Sequence, residues 1–231
     1  MPFSARAPVP VLPGLWLFPP NRDTRGGSAW LLETSIGDLL VDCPAPGEAA
    51  LAFLAERCRR RRGAGLDPPG WIVLLGREGH GRCRQLQQAL GWPVLVQEQE
   101  AYLLPGVGGL HTFAHDHRLA EGLRLLWTPG PSPGASVLHG SGACVGGADG
   151  LFCGRLLVPV GPARLAPLRT RRTFHWPRQL RSLERLRAWL PEGSPRWIAS
   201  GAALGALRGA KVAADGARLL AELPSTGPAP P

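Results

Sequence analysis

Apolar and polar residues fall in blocks along this chain, and the period of the blocks changes from place to place. Ser28–Glu33 (SAWLLE) and Asp38–Asp42 (DLLVD) are two short apolar runs joined by Thr34-Ser35-Ile36-Gly37. That is the pattern of a hairpin around a glycine-bearing turn. Ala49–Arg62 then places Leu51, Phe53, Leu54 and Cys58 at roughly helical spacing. Trp71–Leu75 (WIVLL) is continuously apolar, as in a strand buried on both faces. A loop over Gly76–Gly81 leads into Arg82–Leu90, where Cys83, Leu86, Ala89 and Leu90 repeat with a helical period, and Pro93–Val96 reads as the next strand. The unit strand, loop, helix, strand belongs to the α/β class.

Beyond Leu110 the blocks shorten. Leu110–Phe113, Leu123–Trp127, Ala135–Leu138 and Gly150–Leu157 read as strands between turns. His175–Leu190 is helical, with Leu180, Leu183, Leu186 and Leu190 periodic. Trp197–Ser200 is a last strand, Ala203–Leu207 begins a helix, and Ala213–Leu223 makes a final one. Gly14–Phe18 is a short strand ahead of the hairpin. The pattern predicts an extended, Pro-rich segment over 1–13, a single domain over 14–223 and a disordered tail over 224–231.

Composition narrows the class. The 231 residues are 44% hydrophobic, enough for a sizeable core. No apolar run reaches the ~18 residues of a membrane span, and the first residues lack a secretory pattern. Five scattered cysteines without a CxxC pair suggest neither a zinc ribbon nor a disulfide framework, so a reducing cytoplasm fits best. The net charge is +9, and Lys211 is the only lysine. A basic surface favours anionic partners, although GC-rich coding DNA gives the same arginine-heavy composition. The densest run, Arg57 to Arg62, ends a helical segment, where cations suit the helix dipole. It has no interleaved aromatics, which argues against nucleic-acid binding there.

Five phrases, in order, resemble the metallo-β-lactamase fold in its glyoxalase-II-like branch. They are SAWLLETSIGDLLVDCP (28–44), WIVLLGREGHGRCRQLQQALGWPVLV (71–96), LRLLWTPGPSPGASVL (123–138), DGLFCGRLLVP (149–159) and RWIASGAA (196–203). The resemblance spans about residues 14–205 and implies a four-layer αββα sandwich. It also implies a metal site, and there this sequence departs from the family. The first metal-binding loop of the family reads Thr-His-x-His-x-Asp-His. Here its ligand positions become Arg77, Gly79, Gly81 and Arg82. The histidine between the two Pro-Gly turns becomes Pro131, the bridging aspartate becomes Arg155, and the last histidine becomes Ala202. Sliding the first loop by two residues would rescue only His80.

Hydrolytic zinc needs about three protein ligands and an open position for water. Arginine stays protonated and repels a divalent ion. The resemblance therefore implies an ancestral zinc or iron site that has been lost, no metal cofactor, and a non-hydrolytic pseudoenzyme that binds an anion or small molecule or acts as a scaffold. A metal-dependent thioester or phosphoester hydrolase with an atypical ligand set is the alternative. By the resemblance Arg77, Arg82 and Arg155 surround the old pocket. Guanidinium forks grip carboxylate or phosphate, so these three, with His80 as a neighbouring donor, form a candidate anion site. They could equally face water or pair with Glu78 and Asp42.

Other candidates carry less. His115 and His117 would share one face of a strand, and with His111 could hold a metal; a solvated polar turn explains them as well. Cys153 beside arginines could have a lowered pKa, or be a small buried residue. Ser132 reads as a turn residue, and no Ser/His/Asp triad follows from the spacing.

Overall fold

The computed structural model describes residues 6–142 and 149–223, so the tail expected over 224–231 lies outside the described residues. One sheet contains β1 (Val9–Leu12), β2 (Leu15–Leu17), β3 (Trp30–Thr34), β4 (Gly37–Val41), β5 (Gly70–Leu74), β6 (Val94–Gln97) and β7 (Leu110–Phe113), in that spatial order. Its first four strands are antiparallel and β4 to β7 are parallel. The chain then crosses to β8 (Asp116–Ala120), β9 (Leu123–Trp127), β10 (Ser136–Gly140) and β11 (Gly150–Phe152). A small hairpin follows, β12 (Val158–Gly161) with β13 (Arg164–Ala166). Then come β14 (Trp197–Ala199) and β15 (Ala213–Ala214), which complete a second sheet in the order β15-β14-β11-β10-β9-β8. The helices are α1 (Glu48–Gly63), α2 (Cys83–Leu90), α3 (Glu98–Ala101), α4 (Trp176–Trp189) and α5 (Gly216–Glu222).

The alternation of the strands explains how the layers stack. Leu15, Leu32, Leu39 and Val73 of the first sheet face Leu125, Leu138, Phe152 and Trp197 of the second. Phe152 meets Trp30 across the sheets and Trp197 within its own sheet, both edge-on, at 6.3 and 5.4 Å between ring centres. On the outer face of the first sheet, Leu54 of α1 and Leu86 of α2 pack on Ile72, Leu74 and Val94. On the outer face of the second, Leu183 and Leu186 of α4 and Leu219 of α5 cover Val137, Leu151 and Ile198. Each such fully buried side chain contributes about 1.5–3 kcal/mol. Helices, two sheets and helices give the αββα sandwich expected from the sequence. Among the described residues no helix is long and apolar enough to cross a membrane.

The β3–β4 hairpin turns at Gly37, whose φ is +118°; a Cβ there would lie 2.7 Å from the carbonyl oxygen of Pro69. The arginine run of α1 does more than suit a helix end. Arg57 is buried and binds the fully buried Asp38 through Nε at 2.7 Å and a terminal nitrogen at 2.8 Å. Arg61 Nε donates to the same carboxylate at 2.7 Å, and Glu33 lies 3.2 Å from Arg57.

Several expectations change. The extended residues 9–12 pair with β2 as an edge strand. The His115-Asp116-His117 segment is not a solvated turn: it leads into β8, which pairs with β9. The strand expected over Gly150–Leu157 stops at Phe152, before the left-handed Gly154. The final helix begins only at Gly216, because Asp215 is itself left-handed, and the segment from Ala203 closes as a single 3-10 turn at Gly205–Leu207.

Candidate functional site

The ends of β4, β5, β9, β11 and β14 deliver five loops to one edge of the sandwich. Backbone bonds tie these loops together. Cys43 N–H donates to Gly79 O at 2.8 Å, Ser136 N–H to Leu75 O at 3.0 Å, and Gly201 N–H to Gly154 O at 2.7 Å. Between them lies a cleft of about 30 Å³, bordered by Asp42, Arg77, Glu78, Pro131, Ser132 and Arg155. That is room for about one or two waters.

Asp42 is the buried centre of this edge. It ends β4 with φ at +58°, and its Oδ1 accepts from Leu75 N–H at 2.9 Å. Burial pushes its carboxyl up to about 7, against the opposing pull of the Leu75 N–H and of Arg155. A Cβ on Gly79 would overlap this carboxylate, and one on Gly201 would lie 3.0 Å from Oδ2. The carboxylate thus fills the space that a side chain at 79 would need.

The four residues expected to converge as an anion site do not all do so. Arg77 borders the cleft but turns its Nε toward the fully buried Glu100, 3.5 Å away. Glu100 also accepts from Gly134 N–H at 3.1 Å, which fixes it against the loop before β10. Arg155 borders the cleft too; its Nε lies 2.8 Å from Glu78 Oε2, and a terminal nitrogen donates to Thr24 O at 2.8 Å. Arg82 lies instead in a neighbouring groove and pairs with Asp23 at 3.0 Å. His80 is buried, and its Nε2 has no partner among the described residues. Burial and the nearby Arg77 lower it to about 4, so it is neutral and does not border the cleft. Of the arginine pairings foreseen as the alternative, that of Arg155 with Glu78 is present.

The remaining ligand positions offer no donor. Gly81, at φ +46°, packs against Cys43, Pro131 closes the rim of the cleft, and Ala202 is buried with its carbonyl accepting from Ser28 Oγ at 2.9 Å. Among the described residues no three His, Cys, Asp or Glu side chains meet in a cation shell. Two cationic forks and a proline around one buried carboxylate do not fit zinc or iron.

The other candidates separate as well. His111 packs edge-on to Trp71 at 5.2 Å, His115 against Trp127 at 5.4 Å, and His117 stacks on Phe113 at 5.7 Å. Among the described residues these histidines do not form a group of three ligands that could hold a metal. Cys153 is buried, and burial raises its thiol to about 12, opposite to the lowering that nearby arginines suggested.

The structure does bring a serine, a histidine and an aspartate together, at residues that the sequence did not single out. His139 Nε2 lies 2.7 Å from Asp149 Oδ1 and 2.9 Å from Ser194 Oγ, and Ser194 Oγ donates to Asp149 Oδ1 at 2.9 Å. A proton relay needs the acid and the hydroxyl on opposite ring nitrogens. Here both use the same nitrogen, so the three side chains form a closed structural ring. Only pairing of β10 with β11 and the return of the chain before β14 brings them together, which no local spacing reveals.

This edge of loops on an αββα sandwich defines the metallo-β-lactamase fold, and comparison with solved structures agrees. A B3 metallo-β-lactamase described as the first with an active-site glutamic acid superposes with a TM-score of 0.59 at 19% identity, over 94% of this chain and 90% of that one. A metallo-β-lactamase from Pontibacter korlensis gives 0.58 at 16% identity, over 93% and 98%. An archaeal metallo-β-lactamase superfamily protein from Sulfolobus tokodaii gives 0.56 at 15%, over 90% and 84%. No family model and no curated relative matches the chain. The chain has the metallo-β-lactamase fold.

Proposed function

We propose that this chain is a non-hydrolytic pseudoenzyme of the metallo-β-lactamase fold, in which arginine–carboxylate pairs stand where metal ligands would be, and that it acts by binding a small anion or as a scaffold. The observation that carries this reading is the pairing of Arg155 with Glu78 and Thr24 O, a tethered cation at the position of the bridging ligand. In metal-dependent hydrolysis a bound cation lowers the pKa of its water to about 7. The donor set here supplies none, and Asp42 alone cannot hold one. The test is the metal content of tag-free protein by plasma mass spectrometry, after exposure to zinc, iron and manganese. The expected result is near-zero bound metal. One or two tightly held equivalents would overturn the reading and make His80 and the histidines at 111, 115 and 117 the ligands to mutate.

A further inference from the structure

Beside the small cleft, and sharing Glu78, Pro131 and Arg155 with it, lies a larger one of about 340 Å³. That volume is in the range of small-molecule sites, about 300–1,000 Å³. Four arginines line it, Arg25, Arg155, Arg171 and Arg172, against a single carboxylate, Glu78. Glu78 holds Arg155 at 2.8 Å and reaches Arg172 only at 3.6 Å. Arg25 and Arg171 are exposed and have no side-chain partner among the described residues. Each guanidinium carries five N–H donors, so most of the donors on this wall are unspent.

The wall is also built to stay in place. Thr173 Oγ1 accepts from Thr170 N–H at 2.9 Å, and Thr170 Oγ1 accepts from Arg172 N–H at 3.2 Å, which fixes the turn that bears the arginines. Phe174 N–H and His175 N–H donate to Pro131 O and Gly130 O, docking that turn on the loop before β10. Gln179 also borders this cleft; it is buried, and its Oε1 has no hydrogen-bond partner among the described residues. Leu168, half exposed, adds an apolar side.

The geometry points to a binding site for a small phosphorylated organic molecule in this cleft, its phosphate held by Arg25, Arg171 and Arg172 with Arg155 behind them and its apolar body on Leu168. This rests on the non-hydrolytic reading above and names the ligand class for it. Phosphate suits the site because several forks can grip one tetrahedral group at once.

The test is titration calorimetry of the full chain with p-nitrophenyl phosphate and with pyrophosphate. The expected result is saturable, salt-sensitive binding of both, weakened roughly tenfold or more in the Arg25→Ala/Arg171→Ala double variant. The Arg59→Ala variant, on the exposed face of α1, keeps the wild-type affinity. These cleft arginines support no core, so the double variant folds, and an unchanged melting curve checks it. Absence of saturable heat, an unchanged affinity in the double variant, or binding of an oligonucleotide but neither small probe would overturn the site. Release of p-nitrophenol would instead overturn the non-hydrolytic reading, and the variant's affinity would still judge the cleft.

Discussion

Replacing Asp42 with asparagine removes a charge that the fold tolerates badly. The carboxyl is 5% exposed and is pushed from its ordinary 3.8 to about 7 by burial, against the opposing pull of the Leu75 N–H and Arg155. A raised carboxyl keeps its proton in the folded state over a range where the unfolded chain has already released it. The folded state then binds more protons than the unfolded one, and stability falls as pH rises. The cost is absent below 3.8 and complete above about 7. A gap of about 3 pH units at 1.36 kcal/mol each is about 4 kcal/mol. Asparagine keeps an Oδ1 to accept from Leu75 N–H and has no charge to desolvate. Asp42→Asn is therefore expected to match the wild type near the acid end and to exceed it by up to about 4 kcal/mol at about pH 8.5. Urea unfolding followed by tryptophan fluorescence reads the difference for both proteins: at about pH 5 the gap is about 1.5 kcal/mol, and at about pH 8.5 it reaches its full size. A gap that stays constant with pH, or a variant less stable than wild type under alkaline conditions, would refute the argument that burial dominates at Asp42.

Three further outcomes are expected. Gly79→Ala forces a Cβ into the Asp42 carboxylate, between loops that cannot part without breaking the Cys43–Gly79 bond, and should cost about 1–3 kcal/mol in the same unfolding assay; a neutral effect would mean that the loop gives way freely. Arg57→Ala leaves the fully buried Asp38 with Arg61 alone and should cost about 3 kcal/mol, the low end for breaking a buried pair, seen as a lowered melting temperature. Cys153, buried with its thiol raised to about 12, should resist iodoacetamide in the folded protein and react only after denaturation; early labelling of its peptide in a mass-spectrometric map would contradict its placement.

The chain signals its layers clearly and its site poorly, for different physical reasons. The hairpin at Gly37, the buried run of β5 and the periodic leucines of α4 are set by local side-chain chemistry, so their pattern is visible at short range. β8 escaped because it opens on three polar residues, Asp116-His117-Arg118, and its apolar residues that pack on the core, Leu119 and Ala120, come only at its end, so its partner β9 is what makes it a strand. At the positions that the family resemblance marks as ligands, proline, glycine and alanine carry no side-chain donor wherever they fold, so that much of the reading needs no structure. Where the arginines point was not legible. Arg77 finds Glu100, Arg82 finds Asp23 and Arg155 finds Glu78, and of these carboxylates only Glu78 lies in the motif itself. Arg25, Arg171 and Arg172 fall outside every motif, and only the docking of the 170–175 turn on Gly130 and Pro131 brings two of them to the cleft.

One arrangement links the missing ligands to the intact fold. By the family resemblance, a bound cation would draw the loops at this edge together, and removing its ligands ought to loosen them. Here Arg155, from the loop after β11, bonds Glu78 after β5 and Thr24 O before β3, so a single tethered guanidinium spans both sheets. A Cβ on Gly27 would lie 2.9 Å from that guanidinium, so the path it takes depends on a glycine far away in sequence. The Asp42 carboxylate lies close against Gly79 and Gly201, one on a loop of each sheet, and leaves no room for a side chain at 79. A tethered cation cannot dissociate, and a guanidinium, unlike a metal ion, has no coordination position at which a bound water is activated. Arg155 also lines the larger cleft together with Arg25 and Arg171, which have no side-chain partner among the described residues. On the non-hydrolytic reading proposed above, such a centre attracts anions through its guanidinium as a metal would through its own charge, and binding of a small anion is what that reading requires of this edge.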